Sequence, residues 1–167
     1  MAAETGKGGA GLSEIQSEIF QAFATYVALL MLKMMVLSYF VISERILKGQ
    51  FVVREDYEGF GDPQMSKEEI RRKTASRDLY IERIRRCHRN DLENIIPFVL
   101  VAVVYILFTN PTTESAILHI RIFAAARIFH TVAYLLPLPQ PCRFLAFLVG
   151  SLATISMAIR VIYEGNF

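Results

Sequence analysis

IFQAFATYVALLMLKMMVLSYFVI, residues 19 to 42, is apolar on every face and is broken near its middle by Lys33. At about 1.5 Å per residue, a helix of this length crosses a hydrocarbon core of about 30 Å. A helix on the surface of a soluble bundle would instead interleave polar residues at helical period. The rest of the chain repeats the contrast, because apolar residues gather in long blocks and charges gather between Ser43 and Asn94. Hydrophobic residues make up 53% of the 167. Mean hydropathy is +0.36, high for a soluble protein and ordinary for a small membrane one.

Three further spans follow in the chain. A helix starts near Ser76 or Asp78 and runs through IERIRRCHRNDLENIIPFVLVAVVYILF to Phe108, charged in its first half and apolar in its second. Its purely apolar part, Ile95 to Phe108, is only about half a span. Asn90, Glu93 and Asn94 are therefore carried partly into the protein, and Pro97 is tolerated where neighbouring helices compensate. A tight Thr109-Asn110-Pro111 turn leads to SAILHIRIFAAARIFHTVAYLL, Ser115 to Leu136, which holds His119, Arg121, Arg127 and His130. The run Pro137-Leu138-Pro139-Gln140-Pro141 cannot continue a helix. The last span, Phe144 to about Ile162, is apolar until Arg160, with Gly150, Ser151 and Ala153 as a face for close packing.

The expected architecture is an all-α membrane domain over 19–167, with helices near 19–45, 78–108, 115–136 and 142–163. Gly59, Gly61 and Pro63 make the intervening segment, about 46–77, mostly loop with a short helix near Ser66 to Lys73. Residues 1–18 are polar and Gly-rich, and are expected to be disordered. Twelve of the 18 Lys and Arg lie between Arg45 and Arg89, which places the long loop in the cytosol and both termini on the far side.

Several classes of function are disfavoured. A net charge of +2 is too small to argue for nucleic acid. Cys87 and Cys142 have no metal-ligand spacing, and both fall in segments expected to face the reducing cytosol. No cleavage site follows the first apolar block, so it is expected to stay as an anchor. Hydrolase, kinase and metalloprotease motifs are absent.

Ionisable groups cost about 2.5–3.5 kcal/mol each at the centre of a membrane helix, so those present call for an explanation. Arg127, His130 and Tyr134, spaced i, i+3, i+7, share one face. Arg86, Arg89, Asn90 and Glu93 line a stripe on the preceding helix, with Arg45 and Arg143 at the cytosolic ends of the first and fourth spans. Bundled, these converge on one cytosol-facing pocket suited to a small anionic zwitterion. Arg forks bind carboxylates, Glu93 an ammonium and Asn90 a peptide amide, groups that glutathione presents together. The plainer alternative is a neutralised Glu93–Arg127 pair between helices. Lys33, His88, His119 and Arg160 read as interhelical partners, caps or interfacial anchors.

ERIRRCHRNDLENIIPF (Glu82 to Phe98), ARIFHTVAYLLPLPQPCR (Ala126 to Arg143) and LKM around Lys33 resemble the MAPEG family, the membrane-associated proteins in eicosanoid and glutathione metabolism. The likeness runs from about Phe20 to the end and is nearest the glutathione-transferase branch. It implies a homotrimer of four-helix subunits in the endoplasmic reticulum membrane, with the mitochondrial outer membrane a further location. It also implies glutathione held between subunits on the cytosolic side. The implied glutathione set is Arg45, Arg89, Asn90, Glu93, Arg127, His130, Thr131 and Tyr134. Arg143 matches an arginine that stabilises the thiolate, and Asp56 matches an acid assisting catalysis in the prostaglandin enzymes.

The chain departs from the family where Val53-Arg54-Glu55-Asp56 replaces Asn-Pro-Glu-Asp and where the following loop is long. Phe144 and Phe147 stand where the prostaglandin branch carries hydroxyls, which favours transferase chemistry. The expected reaction joins glutathione thiolate to a hydrophobic electrophile, or reduces a lipid hydroperoxide, supplied by the bilayer. No metal enters. The rivals are a glutathione-dependent prostaglandin isomerase and a non-enzymatic membrane assembly protein.

Overall fold

The computed structural model describes residues 6–165, all-helical in its regular structure. The helices are α1 (Gly6–Lys48), α2 (Arg54–Phe60), α3 (Lys67–Ala75), α4 (Leu79–Phe108), α5 (Thr113–Leu135) and α6 (Gln140–Glu164). Four are long and apolar enough to cross a membrane: Gln16–Lys48 of α1, and α4, α5 and α6. The protein is a multi-pass membrane protein. The disorder expected for 1–18 falls outside the described residues over 1–5, and from Gly6 onward the backbone is helical. Ala, Leu, Gln and Glu are frequent between Ala10 and Ala22, and lengthening an existing helix costs no new nucleus.

Residues group into two compact units, one of Met1–Leu32 with Asp91–Phe167, the other Lys33–Asn90. In the first, α5 is the most enclosed helix. Half of its apolar window is buried, against 17% for α1 and 22% for α6, so α5 is the helix able to shelter cations from lipid. Its buried face runs Ala116, Ile120, Phe123, Ala124, Arg127, Thr131. Phe123 stacks on Phe98 of α4 with ring centroids 3.7 Å apart. Ala146, Gly150, Ala153 and Met157 form the buried ridge of α6. A Cβ at Gly150 would meet Ala126 Cβ at 3.6 Å, Phe123 Cδ2 at 3.7 Å and Arg127 Cδ at 3.8 Å, all ordinary contacts. Gly150→Ala is therefore expected to leave thermal unfolding in detergent nearly unchanged. Gly150→Leu should overpack the α5–α6 seam and cost about 1–3 kcal/mol.

In the second unit, α1 ends in a Schellman motif. Gly49 takes φ 57°, a conformation that only glycine adopts cheaply. Gly49 N donates to Ile46 O (3.2 Å) and Gln50 N to Arg45 O (3.0 Å), so Arg45 lies in the last helical turn. The long loop is more ordered than the sequence suggested. Beyond the expected helix, here α3, it contains α2, whose Tyr57 is anchored by Phe51 N (3.1 Å) and Phe51 O (3.2 Å) and packs with Phe51 and Ile70. Gly61 closes α2 where a Cβ would lie 2.4 Å from Tyr57 O, so no larger residue fits.

Asp78 caps α4. Its Oδ1 accepts from Tyr80 N and Ile81 N, each at 2.9 Å, and Lys48 Nζ donates to it at 3.1 Å. The Ile81 amide, followed by the Lys48 ammonium, holds the Asp78 carboxyl below its ordinary value. A depressed carboxylate stabilises fully above its unfolded value, about 3.9, and loses that contribution as pH falls through the lower folded value. First-turn amides of α4, corrected for intrinsic exchange, should thus lose protection only below about pH 4. Loss nearer neutrality would contradict this cap.

Candidate functional site

Within the second unit, the end of α1 and the start of α4 enclose a cleft of about 460 Å³. Arg45, Arg85, Arg86 and Arg89 line it against one carboxylate, Glu82, and Val41, Ile42 and Val52 form an apolar wall. Glu82 accepts from Arg85 at 3.1 Å and lies 3.7 Å from Arg86 Nε. Buried Arg45 Nε has no hydrogen-bond acceptor among the described residues. A buried donor lacking an acceptor costs about 1–3 kcal/mol, which an anionic ligand would relieve. His88 Nε2 and Ser38 Oγ, 3.2 Å apart, also line the cleft.

The first unit holds a polar chain across α4, α5 and α6. Asp91 and Arg127 are 0% and 1% exposed, and Arg127 donates to Asp91 Oδ1 from Nη2 (2.5 Å) and Nε (3.2 Å). The Thr131 hydroxyl lies 3.4 Å from Asp91 Oδ2 and 3.1 Å from Arg127 O. Arg127 Nη2 is 3.3 Å from His130 Nδ1. The His130 and Tyr134 ring centroids are 5.1 Å apart. Arg143 Cζ lies 4.9 Å from the Tyr134 ring centroid, a cation–π contact, while Arg143 Nη2 donates to Gln140 Oε1 at 2.8 Å. These two supports orient the Arg143 guanidinium, and its buried Nε has no acceptor among the described residues.

The structure thus brings Arg45 and Arg89 together in the cleft, and joins Arg127, His130, Thr131, Tyr134 and Arg143 in the chain of contacts. Asn90 is half-buried and Glu93 exposed on α4. Half-buried Asp56, on α2, is not among the residues lining the cleft. The carboxylate gripping Arg127 is Asp91, where the sequence suggested Glu93. Two residues separate them by about 200° around a helix, which buries one and exposes the other. Glu82, Arg85 and Asp91 are residues that sequence reasoning misses. Asp91 continues the buried stripe Ile84, Cys87, Ile95, Phe98, and that spacing is the signal that marks it. Arg160, read as an interfacial anchor, pairs with Glu164, and His119 Nδ1 lies 2.7 Å from Ser115 O. Cys87 and Cys142 are not disulfide-bonded.

The chain is similar in sequence to known proteins. The MAPEG family matches residues 23–163. Microsomal glutathione S-transferase 1 of Bos taurus is 44% identical over 154 residues, covering 92% of this chain and 96% of the relative. The Homo sapiens protein of that name is 44% identical over 148 residues, 89% of this chain and 92% of the relative. Prostaglandin E synthase of Bos taurus is 34% identical over 154 residues, 92% of this chain and 94% of the relative.

Proposed function

Because this chain belongs to the MAPEG family, we propose that it is a microsomal glutathione transferase, joining glutathione to hydrophobic electrophiles drawn from the bilayer. The observation that carries the reading is that two buried guanidinium donors, Arg45 Nε and Arg143 Nε, have no acceptor among the described residues, in a chain whose spans should shed such groups. Donors of this kind suit carboxylates and a thiolate. On this reading the residues that bind glutathione are Arg45, Arg89, Asn90, Glu93, Arg127, His130, Thr131 and Tyr134. Asp56 is a weaker candidate for assisting catalysis, since α2 carries it outside the cleft lining. The working unit is a homotrimer in the endoplasmic reticulum membrane, with the site facing the cytosol.

The reaction begins with the thiol. A free thiol titrates near 8.5 and is mostly protonated at neutral pH, and a nearby fixed cation favours the thiolate. Arg143 supplies that charge without reorganising, because Tyr134 and Gln140 already hold it. The thiolate displaces a leaving group from the electrophile, forming the carbon–sulfur bond. With a lipid hydroperoxide, two thiols yield alcohol, water and the disulfide.

Phe144 and Phe147 put exposed apolar surface on α6 just beyond Arg143, with no hydroxyl to work on an endoperoxide. This favours transfer over the isomerase reading that the prostaglandin synthase relatives raise. Purified protein should conjugate a chlorinated nitroarene with glutathione, be inhibited by desulfurised glutathione, and isomerise a prostaglandin endoperoxide poorly. Efficient isomerisation without conjugation would reverse the assignment. Calorimetry showing no glutathione binding would favour the assembly protein.

A further inference from the structure

We infer that Asp91 and Arg127 are positioning residues that lock His130 in one tautomer, with its proton on Nε2. The argument rests on donor chemistry. A guanidinium has five N–H donors and no acceptor, so the 3.3 Å contact between Arg127 Nη2 and His130 Nδ1 is a hydrogen bond only if Nδ1 carries no proton. The ring proton then sits on Nε2. A doubly protonated ring would set N–H against N–H across the same contact.

Asp91 makes the arrangement stable. Its Oδ1 takes both the Nε and the Nη2 of Arg127, fixing the guanidinium plane, and the Thr131 hydroxyl adds a contact to Oδ2. Every member is buried, with His130 at 3% exposure and Thr131 at 7%, so water offers little competition for Nδ1. The charged or titratable groups around His130 in this network include Asp91 on α4, Arg127 and Tyr134 on its own helix, and Arg143 on α6 across the Tyr134 ring. The ion pair thus has a second task beyond neutralising itself: it presents His130 as a single-sided donor. That the donor serves glutathione rests on the proposed function, whereas the tautomer does not.

The test is nitrogen NMR on full-length protein in detergent, labelled at histidine. The chain has three histidines, and His130→Gln assigns the relevant signal by its loss. Ligand-free wild type should show one bare Nδ1 and one protonated Nε2 at His130. Arg127→Lys keeps the charge on Asp91 but loses the planar fork, and should give a mixture of tautomers. Asp91→Asn should do the same and raise the KM for glutathione about tenfold, the loss of one charge-assisted hydrogen bond. A protonated Nδ1 in the wild type would overturn the inference, and so would an unaltered tautomer in both folded variants. The wild-type spectrum decides the matter even where a variant does not fold. A failure of the glutathione reading is seen separately, as no change at any histidine on adding glutathione.

Discussion

Replacing Arg143 with alanine is expected to lower kcat for conjugation by about 10²–10³, the effect of deleting one preorganised donor to a developing anion. The KM for glutathione should move far less, because carboxylate recognition is assigned to other arginines. Arg143→Lys should recover only part of the loss. An ammonium keeps the charge but cannot reproduce the planar contact with the Tyr134 ring while donating to Gln140. Steady-state kinetics at saturating electrophile separates the cases. A rise in KM with kcat unchanged would make Arg143 a binding group and remove it from the chemistry.

The second large effect concerns stability. Asp91→Ala leaves the Arg127 guanidinium buried without its carboxylate, which costs about 3–5 kcal/mol. For a membrane domain this is enough to lower the unfolding midpoint in detergent markedly. Removing both charges together, as Asp91→Leu with Arg127→Met, should restore most of that loss, since a buried pair exchanged for apolar residues is often neutral or better. The double variant should nonetheless be impaired in catalysis, because His130 loses the donor opposite its Nδ1. Equal stability in the Asp91→Ala protein would mean that the pair is not buried in the native membrane state.

Lipid as a solvent made the spans legible. It demands about 20 apolar residues per crossing, and 19–42 and 144–162 have few other readings. Grouping Arg127, His130 and Tyr134 on one face required only helical spacing. Three features escaped for identifiable reasons. α2 is seven residues long, with four charges and a glycine, and the packing of Tyr57 with Phe51 and Ile70 anchors it, a contact that periodicity cannot register. Asp91 is not distinguished by residue type from Asn90 and Glu93 in the same block. Its place between Cys87 and Ile95 on the buried stripe becomes visible once burial is known. Arg85 escaped through its neighbour Arg86, and pairing with Glu82 turns both toward one cleft.

The decisive measurement is the ultraviolet absorbance of a thiolate when glutathione is added to purified protein at neutral pH, with Arg143→Ala alongside. Wild type is expected to gain the band in proportion to occupied sites, and the variant to bind glutathione without it. Glutathione bound by wild type with its thiol still protonated would contradict the account.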